Sequence, residues 1–292
     1  MRLLTGAVVD RAQQLGKQAA RGPVDASPSP TRVLAGVARP AVPAISVVVP
    51  TLDEELLLPR CLASLKDQVE HEVIVVDGGS RDRTVAIAEE ADALVLHSPR
   101  ANRGLQMNLG AQRSGGRVLL FLHADSILPP GALAAVEELL GSRADVVGGC
   151  FTMRLDSRSP LCRLASWGGN LYHRSGRPLF GDRGVFVRRD TFEEMGGFRE
   201  LPIMEDVDLG RRLRKPPGDM ATRGRLASGA CAKRRLVMLC GPVISSARSF
   251  ERLGTLRLLA RIVLACAAFK CGLPVQHIAR VYRGIDHPLP AE

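Results

Sequence analysis

No stretch of this sequence is long and apolar enough to cross a bilayer. The longest run free of Asp, Glu, Lys and Arg extends over 13 residues, Pro40 to Leu52, against the ~20 that a spanning helix requires. A membrane-spanning protein is therefore excluded. The seven cysteines include no CxxC pair, and no histidine is spaced to complete a zinc site, so neither a disulfide framework nor a structural metal is indicated. They read as reduced, mostly buried small hydrophobes. Aromatic residues are scarce, with eight Phe, two Tyr and one Trp. There is no RNP-like stacking motif and no helix-turn-helix pattern, which argues against a nucleic-acid-binding core. A secretory signal is not expected, because no apolar h-region follows Arg2.

What is present is a chain of 292 residues, 46% hydrophobic and 24% charged, which suits one large domain or two small ones. Its net charge of +10 is unevenly placed. Residues 1–44, 211–235 and 236–292 are basic, whereas 45–210 carry 18 basic and 24 acidic groups. The part that reads as a folded core is thus acidic, and the basic segments read as solvated tails and loops or as a weak contact with an anionic membrane. Residues 1–44 read as a disordered basic arm, with an organelle-targeting segment as the alternative. The expected location is cytoplasmic, either free or peripheral to a membrane.

From Ile45 the pattern changes to short Val- and Leu-rich runs separated by helical stretches, the signature of βαβ units. Strands are expected at Ile45–Val49, Glu72–Val76, Ala93–Leu96 and Arg117–Leu122, with helices at Leu56–Lys66, Arg83–Glu90 and Leu105–Arg113. Ser80 or Asp82 is placed to cap the second helix. Further on, helix Gly131–Leu140, strand Asp145–Arg154, a helical segment Cys162–His173, strand Val185–Arg188, a short helix near Asp190–Met195 and another from Glu205 are expected. Residues 215–235 read as a basic loop insertion, Leu236–Cys240 as a strand and 250–292 as a helical segment. The Leu253–Phe269 helix either packs on the domain, the plainer reading, or lies on a membrane surface. The expected fold is α/β, a mainly parallel sheet flanked by helices.

In such sheets ligands bind beyond the carboxyl ends of the strands, and three strand ends here carry acids: Asp53-Glu54, Asp77 and Asp125. A single strand-end Asp is often only a turn or cap residue. Three together repel one another unless a cation or a ligand's donors intervene.

The segments ISVVVPTLDEE, VIVVDGGSRDRT, RVLLFLHADS, FGDRGVFVRRDTFEEMGGF and LPIMEDVDLGRRLR, in this order, resemble family 2 glycosyltransferases, specifically a branch with HAD and MEDV wordings. The resemblance covers about Ile45 to Arg214 and resumes at Leu236–Arg252. It implies a GT-A (Rossmann-like) fold and an inverting glycosyltransferase moving a hexose from a nucleotide-sugar donor, UDP-linked in the first instance, to an acceptor, a lipid being one option. By resemblance, Asp125 closes a DxD-like motif and would hold Mg²⁺ or Mn²⁺, with His123 where many relatives have Asp. Donor contacts are expected from Pro50, Thr51, Asp53, Glu54, Asp77 at the nucleobase, Ser80, His123 and Ala124. Arg100 and Asn108 belong to the family's donor-side segment, although Arg100 and Arg103 could equally be ordinary exposed charges. Gly181, Asp182 and Gly197 resemble the acceptor-side frame. Asp206, beside Glu205 in the ED motif, would be the general base, and acids in a first helical turn are also favoured by the helix dipole. Trp167 and Tyr172 either stack on a sugar or simply pack, packing being the plainer reading.

Two other functions stay open at this stage. A nucleotidyltransferase on a related sheet would want a Gly-rich phosphate loop with a basic residue, where PTLDEELLLPR supplies acids. A nucleotide-sugar-binding protein without turnover would not need Asp206.

Overall fold

A computed structural model describes residues 44–174, 181–214 and 234–283. The arm 1–43 and nearly all of the 215–235 insertion lie outside the described residues.

The first half alternates as the sequence pattern predicts: β1 (Ile45–Thr51), α1 (Leu58–Ala63), β2 (His71–Asp77), α2 (Thr84–Glu90), β3 (Leu94–His97), α3 (Arg103–Arg113) and β4 (Val118–Phe121). Successive strand residues face opposite ways. Val47 and Val49 therefore join one core layer with Leu58 and Leu62 of α1, while Val48 joins the other with Met107 of α3. Helices on both faces explain why the strand is continuously apolar rather than alternating. Each fully buried valine contributes about 1.5–3 kcal/mol. On the α3 side the approach is so close that a Cβ on Gly110 would overlap Val48.

The second half contains β5 (Ser126–Ile127), α4 (Ala132–Ser142), β6 (Val146–Asp156), α5 (Pro160–Arg174), β7 (Val185–Arg188), α6 (Arg189–Glu194) and α7 (Glu205–Leu213). It ends with β8 (Arg235–Ser246), α8 (Arg248–Leu253), α9 (Thr255–Lys270) and α10 (Val275–Arg283). The strands form one sheet in the order β3-β2-β1-β4-β7-β6-β8-β5. It is parallel from β3 to β4; β7 then runs antiparallel to both β4 and β6, and β6 and β8 are again parallel.

Two of these pairings build the site. Because β7 is antiparallel, Phe121 at the end of β4 faces Val185 at the start of β7, which brings Gly181-Asp182 to the same sheet edge as His123 and Asp125. Ser126 pairs with Ser245, and the Ser246 amide donates to the Asp125 carbonyl at 3.1 Å. That sets Arg248, at the start of α8, beside Asp125. The α9–α10 pair packs through Ala265, Ile278 and Ala279 against Ile203 and Met204, the lead-in to α7. α9 thus packs on the domain, yet Leu256, Val263 and Leu264 on it stay 61–70% exposed. Trp167 on α5 does not pack in the core; it is 64% exposed.

Candidate active site

The β1–α1 and β2–α2 loops are tied together by short side chains. The Asp77 carboxylate accepts from the amides of Gly79 (2.9 Å) and Ser80 (3.0 Å) and from the Ser80 hydroxyl (2.5 Å). Ser80 Oγ in turn accepts from the Asp53 amide at 2.9 Å, and Asp53 Oδ1 accepts from the Arg81 amide at 2.8 Å. Asp53 adopts the left-handed conformation, φ 53°, which Asp tolerates better than most residues. Asp82, not Ser80, serves the start of α2, its Oδ1 accepting from the Thr84 amide at 2.9 Å. Behind these loops Gln106, 3% exposed, donates to the carbonyls of Thr51 and Val76 and locks α3 to the ends of β1 and β2.

Two cavities open on this edge. One, about 560 Å³, is lined by Pro50, Thr51, Glu54, His123, Ala124 and Asp125, together with Arg103, Gln106, Glu205 and Arg248. The other, about 240 Å³, is lined by Asp182, Asp206, Ile203, Met204 and Tyr282. Arg103, His123, Asp125 and Ser249 border both. The cavities therefore meet at these four residues.

Charge at the junction is unbalanced toward acid. Arg103, the first residue of α3, bonds Glu205 through Nε at 2.9 Å. Arg248 bonds Glu54 and stands 3.7 Å from Asp125. Burial raises the pKa of Asp125, which Arg248 only partly offsets. Glu54 is raised by the same cause against the same arginine. Asp182 is raised by burial against Arg183. Asp206 is raised by burial and by Glu205 next to it, with Arg103 opposing. Burial and Arg103 drive His123 down to about 3, so its imidazole is neutral at physiological pH. Glu54 Oε2, Glu205 Oε2 and Asp182 Oδ1 are buried without a hydrogen-bond partner.

Met204, with φ 66°, turns the chain into α7, a left-handed conformation that costs a non-glycine about 1–3 kcal/mol. This presents Asp206 to the smaller cavity, where its Oδ2 accepts from the Gly181 amide at 2.5 Å and its Oδ1 from the Val207 amide at 2.6 Å. Gly181 is there for space: a Cβ would lie 2.7 Å from His123 Nε2. The third acid of this turn, Asp208, is bound to Arg212 at 2.7 Å and Arg199 at 3.3 Å. It is a packing residue.

The structure thus brings together Pro50, Thr51, Glu54, His123, Ala124, Asp125, Gly181, Asp182, Glu205 and Asp206. Asp53, Asp77 and Ser80 form the adjoining loop cluster, Asp77 being 2% exposed and absent from the cavity wall. Arg100 pairs with Glu200. Asn108 exchanges two 2.9 Å hydrogen bonds with the backbone of Phe198, filling the space beside Gly197. Those three stand outside the cavity lining. Sequence reasoning did not single out Gln106, Arg248 or Tyr282. Arg248 lies eight residues past the strand end expected at Cys240, so no strand-end signal marked it.

A sheet of this order, with ligand-sized cavities at the β1/β4 edge, defines an α/β protein of the GT-A class. Residues 46–190 match the profile of glycosyl transferase family 2. The PGL/p-HBAD biosynthesis glycosyltransferase of Mycobacterium tuberculosis is 30% identical over 201 residues, 61% of this chain and 72% of that protein. The chain belongs to glycosyl transferase family 2. Among solved structures, a mannosyltransferase from Pyrobaculum calidifontis in complex with GDP-Man and Mn²⁺ superposes with a TM-score of 0.55 at 19% identity, over 87% of this chain and 66% of that one. Glucosyl-3-phosphoglycerate synthase from Mycobacterium tuberculosis gives 0.52 at 19%, over 80% and 81%. Other relatives are matched over part of their length. The chain spans 22% of a TPR repeat-containing protein of Synechococcus elongatus, at 47% identity over 89 residues that make up 30% of this chain.

Proposed function

We propose that the protein is an inverting glycosyltransferase that binds a nucleotide-sugar donor, UDP-linked in the first instance, in the larger cavity and its acceptor in the smaller one. The observation that carries this reading is the meeting of the two cavities at Arg103, His123, Asp125 and Ser249, with Asp206 on the acceptor side alone. The acceptor hydroxyl attacks the anomeric carbon, the bond from that carbon to the diphosphate oxygen breaks, and Asp206 takes the hydroxyl proton. Two backbone amides hold the carboxylate in place. Its raised pKa makes it a stronger base than an exposed aspartate. Arg103 and Arg248 face the departing diphosphate and offset its charge.

The residues fit a hard divalent cation. Buried carboxylates outnumber the arginines, and Glu54 keeps an unpartnered oxygen. Mg²⁺ or Mn²⁺ is commonly held by one or two carboxylates, water and a donor's own phosphates. Asp125 would hold it, with neutral His123 alongside, and it would supply neutralisation of the leaving diphosphate.

The test is Asp206→Asn, assayed by transfer from a UDP-hexose and by the thermal shift that UDP induces. Turnover is expected to fall by about 10²–10⁴-fold with the shift retained. Near-normal turnover, or a product that keeps the donor's anomeric configuration, would remove the single-displacement reading.

A further inference from the structure

Beside the smaller cavity a groove of about 470 Å³ runs between α5 and α9. Its walls are mostly apolar, including Met153, Tyr172, Leu259, Val263 and Ala267. It joins the Asp206 cavity at Leu155, Asp182, Phe250 and Ile262, which line both. An acceptor whose hydroxyl reaches Asp206 thus has a continuous apolar path for a chain attached to it. A small polar acceptor has no use for that path, since the Asp206 cavity alone would hold it.

The outer face of the same two helices is unusual for a surface bathed only in water. On α5, Leu161, Leu164, Trp167 and Leu171 are 47–64% exposed, and their spacing of three and four places them along one side of the helix. On α9, Leu256, Val263 and Leu264 are 61–70% exposed, and Val263 also forms part of the groove wall. Neither helix, nor α10, carries an acid, whereas Arg163, Arg174, Arg257, Lys270 and Arg280 are exposed on them. An apolar stripe edged by one sign of charge complements an anionic lipid surface, where the apolar side chains enter the acyl boundary and the basic ones meet headgroups.

We propose that the α5–α9 groove seats the apolar chain of an amphiphilic acceptor, taken from an anionic bilayer on which the exposed face of α5 and α9 rests. This deepens the transferase reading and rests on it, so the experiment reads the groove, the face and the donor cavity separately.

Trp167 is the chain's single tryptophan and reports on the face directly. With the full chain and phosphatidylcholine vesicles containing phosphatidylglycerol, Trp167 emission is expected to shift to the blue and to be quenched by brominated acyl chains. Pure phosphatidylcholine should produce a weak response. Leu164→Asp combined with Leu264→Asp changes two exposed positions outside the groove wall and should abolish vesicle binding while leaving the UDP-induced thermal shift intact. For the groove the probe is dansyl-undecanoic acid, expected to bind saturably with energy transfer from Trp167. Gly168→Leu, at a position where a Cβ meets nothing within 4 Å, should fill the groove and weaken the probe by about tenfold or more. Vesicle binding indifferent to the anionic lipid, or probe binding unchanged by Gly168→Leu, overturns the proposal. If UDP produced no shift while probe and vesicles bound as expected, the groove's lipid-chain role would stand and the donor reading would fall. A normal UDP shift with no probe binding would overturn the groove alone.

Discussion

Asp77 and Asp125 are both strand-end carboxylates, and their surroundings separate their roles. Asp77 is enclosed by the Gly79 and Ser80 donors and organises the turn on which the β1–α1 loop leans. Asp125 faces both cavities, with the Ser126 hydroxyl at 3.5 Å and Arg248 at 3.7 Å from its side chain. Removing the first should therefore cost stability, and removing the second should cost ligand chemistry. Asp77→Ala is expected to lower unfolding stability by about 2–3 kcal/mol, the scale of lost hydrogen bonds to a buried charge, and to weaken UDP and uridine alike. Asp125→Ala is expected to leave stability nearly unchanged and to remove the Mn²⁺-dependent part of UDP-sugar binding. Urea unfolding with titration of uridine, UDP and UDP-glucose, with and without Mn²⁺, reads both variants. Equal effects of the two substitutions on stability and on nucleoside affinity would show that the roles are not divided in this way.

At the scale of elements, what the sequence disclosed and what it hid have separate physical causes. Local periodicity carried the β/α succession, so strands such as Ile45–Thr51 and Val185–Arg188 and the helix starting at Glu205 were legible to within a few residues. Pairing direction leaves no mark on periodicity, so the antiparallel insertion of β7, which delivers Gly181-Asp182 to Asp125, could not be read. The same limit hid the Arg103–Glu205 and Arg248–Glu54 pairs, whose members are far apart in the chain. β8 was expected to stop at Cys240, just before Gly241-Pro242. Instead the chain bulges there, with Gly241 at φ 112° and the register against β6 shifted between Phe151 and Met153, and pairing resumes to Ser246. That bulge sets where Ser246 meets the Asp125 carbonyl and hence where Arg248 points. Gly241→Ala has room for the methyl group, its nearest neighbour being Pro129 Cγ at 3.5 Å, so its cost is backbone strain of about 1–3 kcal/mol. It should also weaken UDP binding although it lies outside the cavity lining. A variant with the lost stability and an unaltered UDP-induced thermal shift would show that Arg248 is not positioned by the bulge.

Across the whole molecule, the acid-rich junction couples fold stability to pH. Glu54, Asp125, Asp182 and Asp206 all have folded-state pKa values raised chiefly by burial. A carboxyl with a raised folded value binds its proton more readily folded than unfolded, so it favours folding at low pH and subtracts stability as pH rises past the ordinary carboxylate range. His123 acts in the opposite sense. Its folded value of about 3 lies below the ordinary 6.5, so its contribution is complete above 6.5 and is lost as pH falls. The raw pH dependence of Tm mixes these effects, but a single variant isolates one of them. Asp206→Asn cannot ionise, and it loses at least one of the two amide contacts, which introduces a fixed offset of about 1–3 kcal/mol. The remaining difference from the parent protein is the ionisation of Asp206 alone, and each unit of its upward shift corresponds to about 1.4 kcal/mol. Asp206→Asn should therefore be at its greatest disadvantage at acid pH, where the parent's Asp206 is protonated, and should gain on the parent steadily as pH rises toward and past neutrality. Thermal unfolding of the two proteins side by side from acid to mildly alkaline pH measures that difference. A gap that stays constant would mean that Asp206 titrates alike in both states. A gap that widens toward alkaline pH would mean that the surrounding arginines and amides outweigh burial, and the carboxylate would then be a weaker base than the transfer reaction asks of it.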